Sequence, residues 1–274
     1  MQQETPKWLT HFTTAFGTSG VIALAWWVGA RNAVEIRDMQ RSYPFLRIVP
    51  AGSDPLDVND LLGTLSVLSG AKDADVISRA KHAPAALKRA LFDDTNLPLV
   101  LTEMGGPGDH FDDWSMLKPM FNNCSSSSIT PSIDVTASDK RSARGLVFVA
   151  ERGAGPGLPS RTVELSIDLK CLAGAMKLAG QVLQHRPSDG HDMLSLDPTA
   201  WRQMVYRLGG IEQHIDSMTD DLGKALSHRH AMNHAQLICM VHVLVDAFHL
   251  PEDVASNAIR NIHDMAAGTV DIPF

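Results

Sequence analysis

The stretch FLRIVPAGSDPLDVNDLL, residues 45–62, decides the fold. FLRIVP (45–50) is a short apolar run with strand character, and a turn of small residues follows it. PLDVNDLL then opens a helical pattern. Strand, small-residue turn and helix is the order in which an α/β protein builds a phosphate loop. Such a loop curls backbone N–H groups around the phosphates, adds a lysine for the outer ones, and holds magnesium with a Ser or Thr hydroxyl. Here Ala51, Gly52 and Ser53 provide the turn, and Asp54, Pro55 and Leu56 follow. Leucine cannot ligate magnesium, and proline removes a donating N–H. Asp54 sets a negative charge where a polyphosphate would lie. At about 4 Å and an effective dielectric near 20, a like-charge pair costs about 4 kcal/mol, or roughly a thousandfold in affinity. Read alone, the segment is an ordinary helix start, with Asp54 as N-cap, Pro55 at the first helical position and Asp57 three residues after the cap.

Working outward, helices are expected over 5–16 and 20–40, parted by Gly17 and Gly20 with Ser19 capping the second. Helices also follow over 55–69, 73–82, 84–92 and 111–121. LPLVLTEM (97–104) is a continuous apolar run ending in an acid, as a strand buried on both faces reads. SIDVT (132–136), GLVFVAE (145–151) and RTVELSIDL (161–169) add strands. Beyond residue 170 the pattern is helical, over 171–185, 198–227, 229–249 and 252–267. Helical stretches between early strands imply crossovers. The fold class is therefore α/β, a mostly parallel sheet flanked by helices. The expected organisation is a helical lead-in (1–44), an α/β core (45–170) and an all-helical C-terminal part (171–274).

Composition narrows the function classes. The 274 residues carry a formal net charge of −7, which argues against a surface built mainly to grip nucleic-acid backbone. Three cysteines (Cys124, Cys171, Cys239), far apart in sequence, imply a reducing compartment, and a cytoplasmic location is the default. VIALAWWVGA (21–30) is too short to cross a bilayer, which takes about 20 apolar residues. It is expected as a buried core helix rather than a membrane or signal segment.

The run FGTSGVIALAWWVGARNAVEIRDMQRSYPFLRIVPAGS (16–53) resembles the opening of the P-loop ATPase module in primase–helicase-type replication proteins of phages and integrated elements. LPLVLTEMGG is similar to that family's second motif, which would place Glu103 near a magnesium. GLVFVAERGAGPGLPSRTVELSIDL (145–169) is similar to its later strand–loop–strand segment. There Glu151 or Arg152 would close the first strand, and Arg161 would begin the next and reach a neighbouring subunit's nucleotide. The departure falls on the loop: Gly52, Ser53 and Asp54 would be its cofactor-binding part, but the positions where the family has Gly, Lys and Ser/Thr are Asp54, Pro55 and Leu56. The resemblance thus implies a P-loop fold that no longer hydrolyses nucleotide and acts by self-assembly or on a replication or host protein. No cofactor is expected in that reading. The alternative is an active ATP-driven motor using ATP and magnesium, with Glu103 and Arg161 as its catalytic residues.

Two other groups compete for attention. HRHAMNH (228–234) places His230 and His234 at metal-ligand spacing, with His242 or His249 as a third ligand for a metal-dependent hydrolase. The stretch lacks the intervening glutamate of a zinc protease and equally reads as a structural helix. Lys140, Arg141, Arg144 and Arg152 form a modest basic cluster, read as a solvated face or a nucleic-acid contact without interleaved aromatics to stack bases. Asp109, Asp112 and Asp113 read as a solvated loop and helix start.

Overall fold

The computed structural model describes residues 4–50, 55–78, 84–93, 95–102, 117–122, 144–149, 159–167, 180–182, 184, 192–222 and 226–268. Among them, helices α1 (Lys7–Arg31) and α2 (Ala33–Gln40) precede strand β1 (Phe45–Pro50). Then come α3 (Pro55–Leu68), β2 (Asp75–Ser78), α4 (Pro84–Leu91), β3 (Leu99–Thr102), α5 (Lys118–Phe121) and β4 (Leu146–Val149). A 3₁₀ turn (Pro159–Arg161) leads into β5 (Thr162–Ile167). The chain continues through α6 (Pro198–Gly209), α7 (Glu212–Leu222), α8 (His228–Phe248) and α9 (Glu252–Gly268).

The strands form one sheet in the order β2-β3-β4-β1-β5, and every pairing is parallel. The expected α/β class with a parallel sheet and flanking helices is what the chain adopts. Alternation along the strands sends their side chains to two separate cores. Leu46, Ile48, Val100, Val147, Val163 and Leu165 join the core that contains α1, α3 and α8. Phe45, Leu99, Leu101, Leu146 and Phe148 face Leu87, Leu91, Met120 and Phe121 of α4 and α5. Both faces of β1, β3 and β4 are covered, which explains their near-continuous apolar character, whereas edge strand β5 alternates buried and more exposed residues.

VIALAWWVGA is apolar all round and is buried all round, as the sequence implied. Trp26 Nε1 donates to the Pro44 carbonyl at 2.9 Å, Trp27 Nε1 to Ser69 Oγ at 2.8 Å, and the Tyr43 hydroxyl to the Trp26 carbonyl at 2.7 Å. The close approach needs Gly29, where a Cβ would lie 2.2 Å from the Tyr43 hydroxyl. Two helices, α1 and α8, are long and apolar enough to cross a membrane by length and composition, but 72% and 67% of their apolar windows are buried inside the fold. Helix α8 is the hub of the C-terminal helices, contacting α1, α6, α7 and α9.

The elements differ from expectation at five places, the first being that the helix expected over 20–40 is interrupted at Asn32, at φ −108° and ψ 25°, into α1 and α2. Residues 75–78, expected within a helix, form edge strand β2, because β-branched Val76 and Ile77 find a parallel partner in β3. The helix expected over 198–227 breaks at Gly209 and Gly210, where the Gly210 N–H closes onto the Tyr206 and Arg207 carbonyls. The N-terminal break falls at Gly17 alone, at φ 56°, ψ −155°, a conformation open to glycine. Ser19, expected as a cap, instead donates to the Ser166 carbonyl of β5 at 3.2 Å. The strand expected at 132–136 lies outside the described residues.

Candidate functional site

Open parallel sheets bind ligands beyond the carboxyl ends of their strands, where the connections diverge. In this sheet β1 is that point. Its own crossover leads toward β2 at the far side, and the β4-to-β5 connection passes to its other side. The register aligns Thr102 with Val149, and Val149 with Ile48, so β3, β4 and β1 end along one edge. The small-residue turn follows β1 and the expected acid, Glu103, follows Thr102. The topology thus directs both chain segments toward one sheet edge, with a single strand between them. Gly52, Ser53, Asp54 and Glu103 themselves lie outside the described residues, as do Asp109, Asp112, Asp113, Lys140, Arg141, Glu151 and Arg152.

Arg161 stands at the opposite, amino edge. It ends the 3₁₀ turn before β5, whose first residue pairs with Phe45 at the start of β1. Strand β1 is 6 residues long, so the two edges are separated by roughly 20 Å at about 3.3 Å per residue. Within one chain Arg161 does not belong to the edge where β1 ends. Its guanidinium carbon lies 5.7 Å from the ring centre of Phe121, and that of Arg229 lies 5.9 Å from the same centre. Burial, and then the charge of Arg229, lower the Arg161 pKa below its ordinary value.

Arg144 is also at the amino edge, just before β4, and its role is different from the one expected. It is wholly buried, and its guanidinium donates to the carbonyls of Leu97 (2.8 Å) and Ala90 (3.0 Å) and to Asp75 (2.6 Å). It is neither a solvated residue nor one able to contact nucleic acid. Below it Arg37 donates to the Arg144 carbonyl at 2.8 Å, and burial lowers the Arg37 pKa to about 10, with Tyr43 opposing the shift.

The histidine cluster is built into the fold. His234 is fully buried and its Nδ1–H donates to the His230 carbonyl at 2.8 Å. Burial, opposed by that hydrogen bond, lowers its pKa to about 4 and keeps the imidazole neutral. His230 Nδ1 lies 3.0 Å from the Ser227 hydroxyl, which caps α8. His242 stacks on His214 of α7, with centroids 5.7 Å apart, and His249 ends α8 in a left-handed conformation. No group of three potential metal ligands occurs among the described residues.

Sequence reading missed Arg229 and Phe121. Phe121, Arg161 and Arg229 are widely separated in the chain and belong to no shared motif; only the fold brings them together.

No protein-family model and no curated protein matches this chain. A solved structure described as "SCCmec type IV Cch - active helicase" matches at a TM-score of 0.67 and 12% sequence identity. The match covers 98% of this chain and 51% of that one, so this chain spans about half the length of its structural neighbour. At that identity the likeness establishes a shared fold over nearly the whole of this chain.

Proposed function

We propose that this chain is a helicase-fold protein whose phosphate loop has lost its nucleotide, and that it acts by self-assembly or by docking on a replication or host protein. It belongs, in this reading, to a phage or mobile element and works in the cytoplasm. The observation that carries the reading is the run Asp54-Pro55-Leu56 directly after the β1 turn. Strand β1, which precedes that run in sequence, lies at the divergence point of the sheet, where parallel sheets take their ligands. The residues of the run supply an acid, an imino ring and an aliphatic group in place of a cation and a metal-holding hydroxyl. What survives is the helix start that joins β1 to α3.

The test is a titration of the intact chain with ATP and magnesium. Binding is expected to be weaker than about 1 mM, the affinity of a contact worth only about 4 kcal/mol. Micromolar binding that disappears on Glu103→Ala would overturn the reading.

A second reading is an active ATP-driven motor with an atypical loop, favoured by the description of the structural neighbour as an active helicase. ATP and magnesium would then be cofactors, Glu103 would act at the metal, and Arg161 would reach a neighbouring copy's nucleotide. Particle mass with and without ATP separates the two. An ATP-dependent ring favours the motor, and a mass indifferent to ATP favours the adaptor.

A further inference from the structure

The amino edge of the sheet holds a pair of cations, Arg161 and Arg229, with no carboxylate partner among the described residues. Arg161 and Arg229 both approach the Phe121 ring, at 5.7 and 5.9 Å. The other basic side chains of the sheet are answered: Arg47 pairs with Glu164 at 3.3 Å, and Arg144 with Asp75 at 2.6 Å. Among the described residues no acidic group pairs with Arg161 or Arg229. The first turn of α8 contains no acid either, and carries His228, Arg229 and His230. Cations at a helix N-terminus oppose the helix dipole, so intrahelical electrostatics do not account for this arrangement.

The scaffold beneath the pair is fixed by long-range hydrogen bonds. Tyr43 N–H donates to the Phe121 carbonyl at 3.1 Å, and Ser42 bridges Asn122. The Asn233 amide donates to the carbonyl of Ser160, next to Arg161, at 3.2 Å. The Gln236 amide donates to the Ser42 carbonyl at 2.9 Å. Arg161 Nε, buried, has no hydrogen-bond partner, and neither does Oδ1 of fully buried Asn233. Charge and polar capacity are thus held in place without a partner.

We propose that Arg161 and Arg229, backed by Phe121 and the first turn of α8, form a binding site for a phosphate group. Two guanidinium forks match the oxygens of a phosphate and hold a planar donor pattern that a lysine cannot. The open N–H groups of the helix N-terminus add to the same preference. An oxyanion between the two charges removes their mutual repulsion. A nucleic-acid backbone and free phosphate or nucleotides present the same phosphate chemistry to such a site. The site lies on the edge opposite the one where β1 ends and does not rest on how residues 51–56 behave.

The experiment measures the thermal midpoint of the intact chain in inorganic phosphate against chloride at equal ionic strength. Phosphate also stabilises proteins by exclusion from their surfaces, so the readout is the difference between the natural chain and its variants. The phosphate-specific rise is expected to need at least fivefold more phosphate in Arg229→Gln, an exposed position that leaves the core untouched, and to return in part in Arg229→Lys. Arg161→Gln is expected to behave as Arg229→Gln does. A fluorescent single-stranded oligonucleotide and ATP then compete with phosphate: the one acting at lower concentration identifies the source, and competition by either, lost in the variants, supports the site. The proposal is overturned if the natural chain responds no more than the Arg161→Gln/Arg229→Gln double variant. It is also overturned if the response follows changes at residues 54–56 and not the arginines. That second result would place the ligand at the carboxyl edge and would count against the proposed loss of nucleotide binding as well.

Discussion

The two edges of the sheet make opposite use of charge. At the carboxyl edge the topology provides the crevice where parallel sheets take their ligands, yet the sequence that follows β1 runs through Asp54, Pro55 and Leu56. At the amino edge, where the fold reserves no ligand crevice, Arg37, Arg144, Arg161 and Arg229 gather. Two of these four serve the fold, and two have no acidic partner among the described residues. Strand order settles where a site would lie; side-chain chemistry settles whether anything binds there. The separation of the edges makes the comparison testable, because each can be altered without touching the other.

The largest expected effect separates the structural cations of the amino edge from the free ones. Arg144→Ala removes the donors that satisfy the Leu97 and Ala90 carbonyls and the partner of Asp75. Removing one partner of a buried charged network costs about 3–5 kcal/mol, although Asp75 is itself 46% exposed and solvent will take up part of its loss. Chemical denaturation is expected to show a loss of that order for Arg144→Ala and less than about 0.5 kcal/mol for Arg229→Gln. Equal losses would mean that both arginines belong to the scaffold, and the contrast within this edge would collapse.

The next prediction works on the carboxyl edge. The triple variant Asp54→Gly, Pro55→Lys, Leu56→Thr returns a cation and a hydroxyl to the turn and removes the opposing acid. Nucleotide affinity is expected to improve by up to about a thousandfold, following the roughly 4 kcal/mol assigned to the acid–phosphate contact. Equilibrium binding of a fluorescent ATP analogue with magnesium measures it. No gain would show that the rest of the crevice has been lost as well, and the turn would then be no more than a helix start.

How far each edge was legible follows from the range of the interactions that make it. Strands β1, β3 and β4 announced themselves because a strand covered on both faces leaves a local apolar signature, and β5 through the polar–apolar alternation of TVELSI. The run Asp54-Pro55-Leu56 is equally local, being three consecutive residues. Strand β2 was missed, since four residues beside an alanine-rich stretch carry too little periodicity, and only pairing with β3 settles their state. Arg144 looked like its basic neighbours in sequence, because nothing local says that a side chain will turn inward to carbonyls of residues 90 and 97. The Phe121–Arg161–Arg229 group was illegible for the same reason, being assembled from α5, the approach to β5 and the start of α8.

A smaller effect sharpens the account of α8, which supports the amino edge. Burial lowers the pKa of His234 from its ordinary 6.5 to about 4, and it lowers those of His214 and His242 in the same direction. For His234, between about pH 6.5 and pH 4, the unfolded chain binds a proton that the folded chain refuses. The stability from the neutral buried imidazole is therefore full above the unfolded value and is lost as pH falls through that window. The loss attributable to His234 is on the order of 3 kcal/mol, from about 2.5 units at 1.36 kcal/mol each. Denaturant titrations at pH 7 and pH 4 are expected to show a smaller fall for His234→Gln than for the natural chain. An unchanged pH dependence would remove His234 from the account.

The smallest effect tests whether the amino-edge pair depends on local geometry or only on general stability. The Tyr43 hydroxyl donates to the Trp26 carbonyl, while the Tyr43 backbone N–H separately supports the Phe121 carbonyl. Tyr43→Phe removes the first contact and keeps the second. Losing a single neutral hydrogen bond costs about 1 kcal/mol. The same variant takes away the oxygen that would lie 2.2 Å from a Cβ at position 29, although the ring carbon behind it remains at 2.8 Å. Gly29→Ala alone is therefore expected to cost more than Gly29→Ala in the Tyr43→Phe background, a coupling that a double-mutant cycle by denaturation reads directly. Through all four chains the phosphate-specific shift should keep its half-saturating concentration, because the ring beneath Arg161 and Arg229 has not moved. A shift that weakened with Tyr43→Phe would tie the two arginines to the packing of α1, and the amino edge could no longer be treated as a surface site independent of the core.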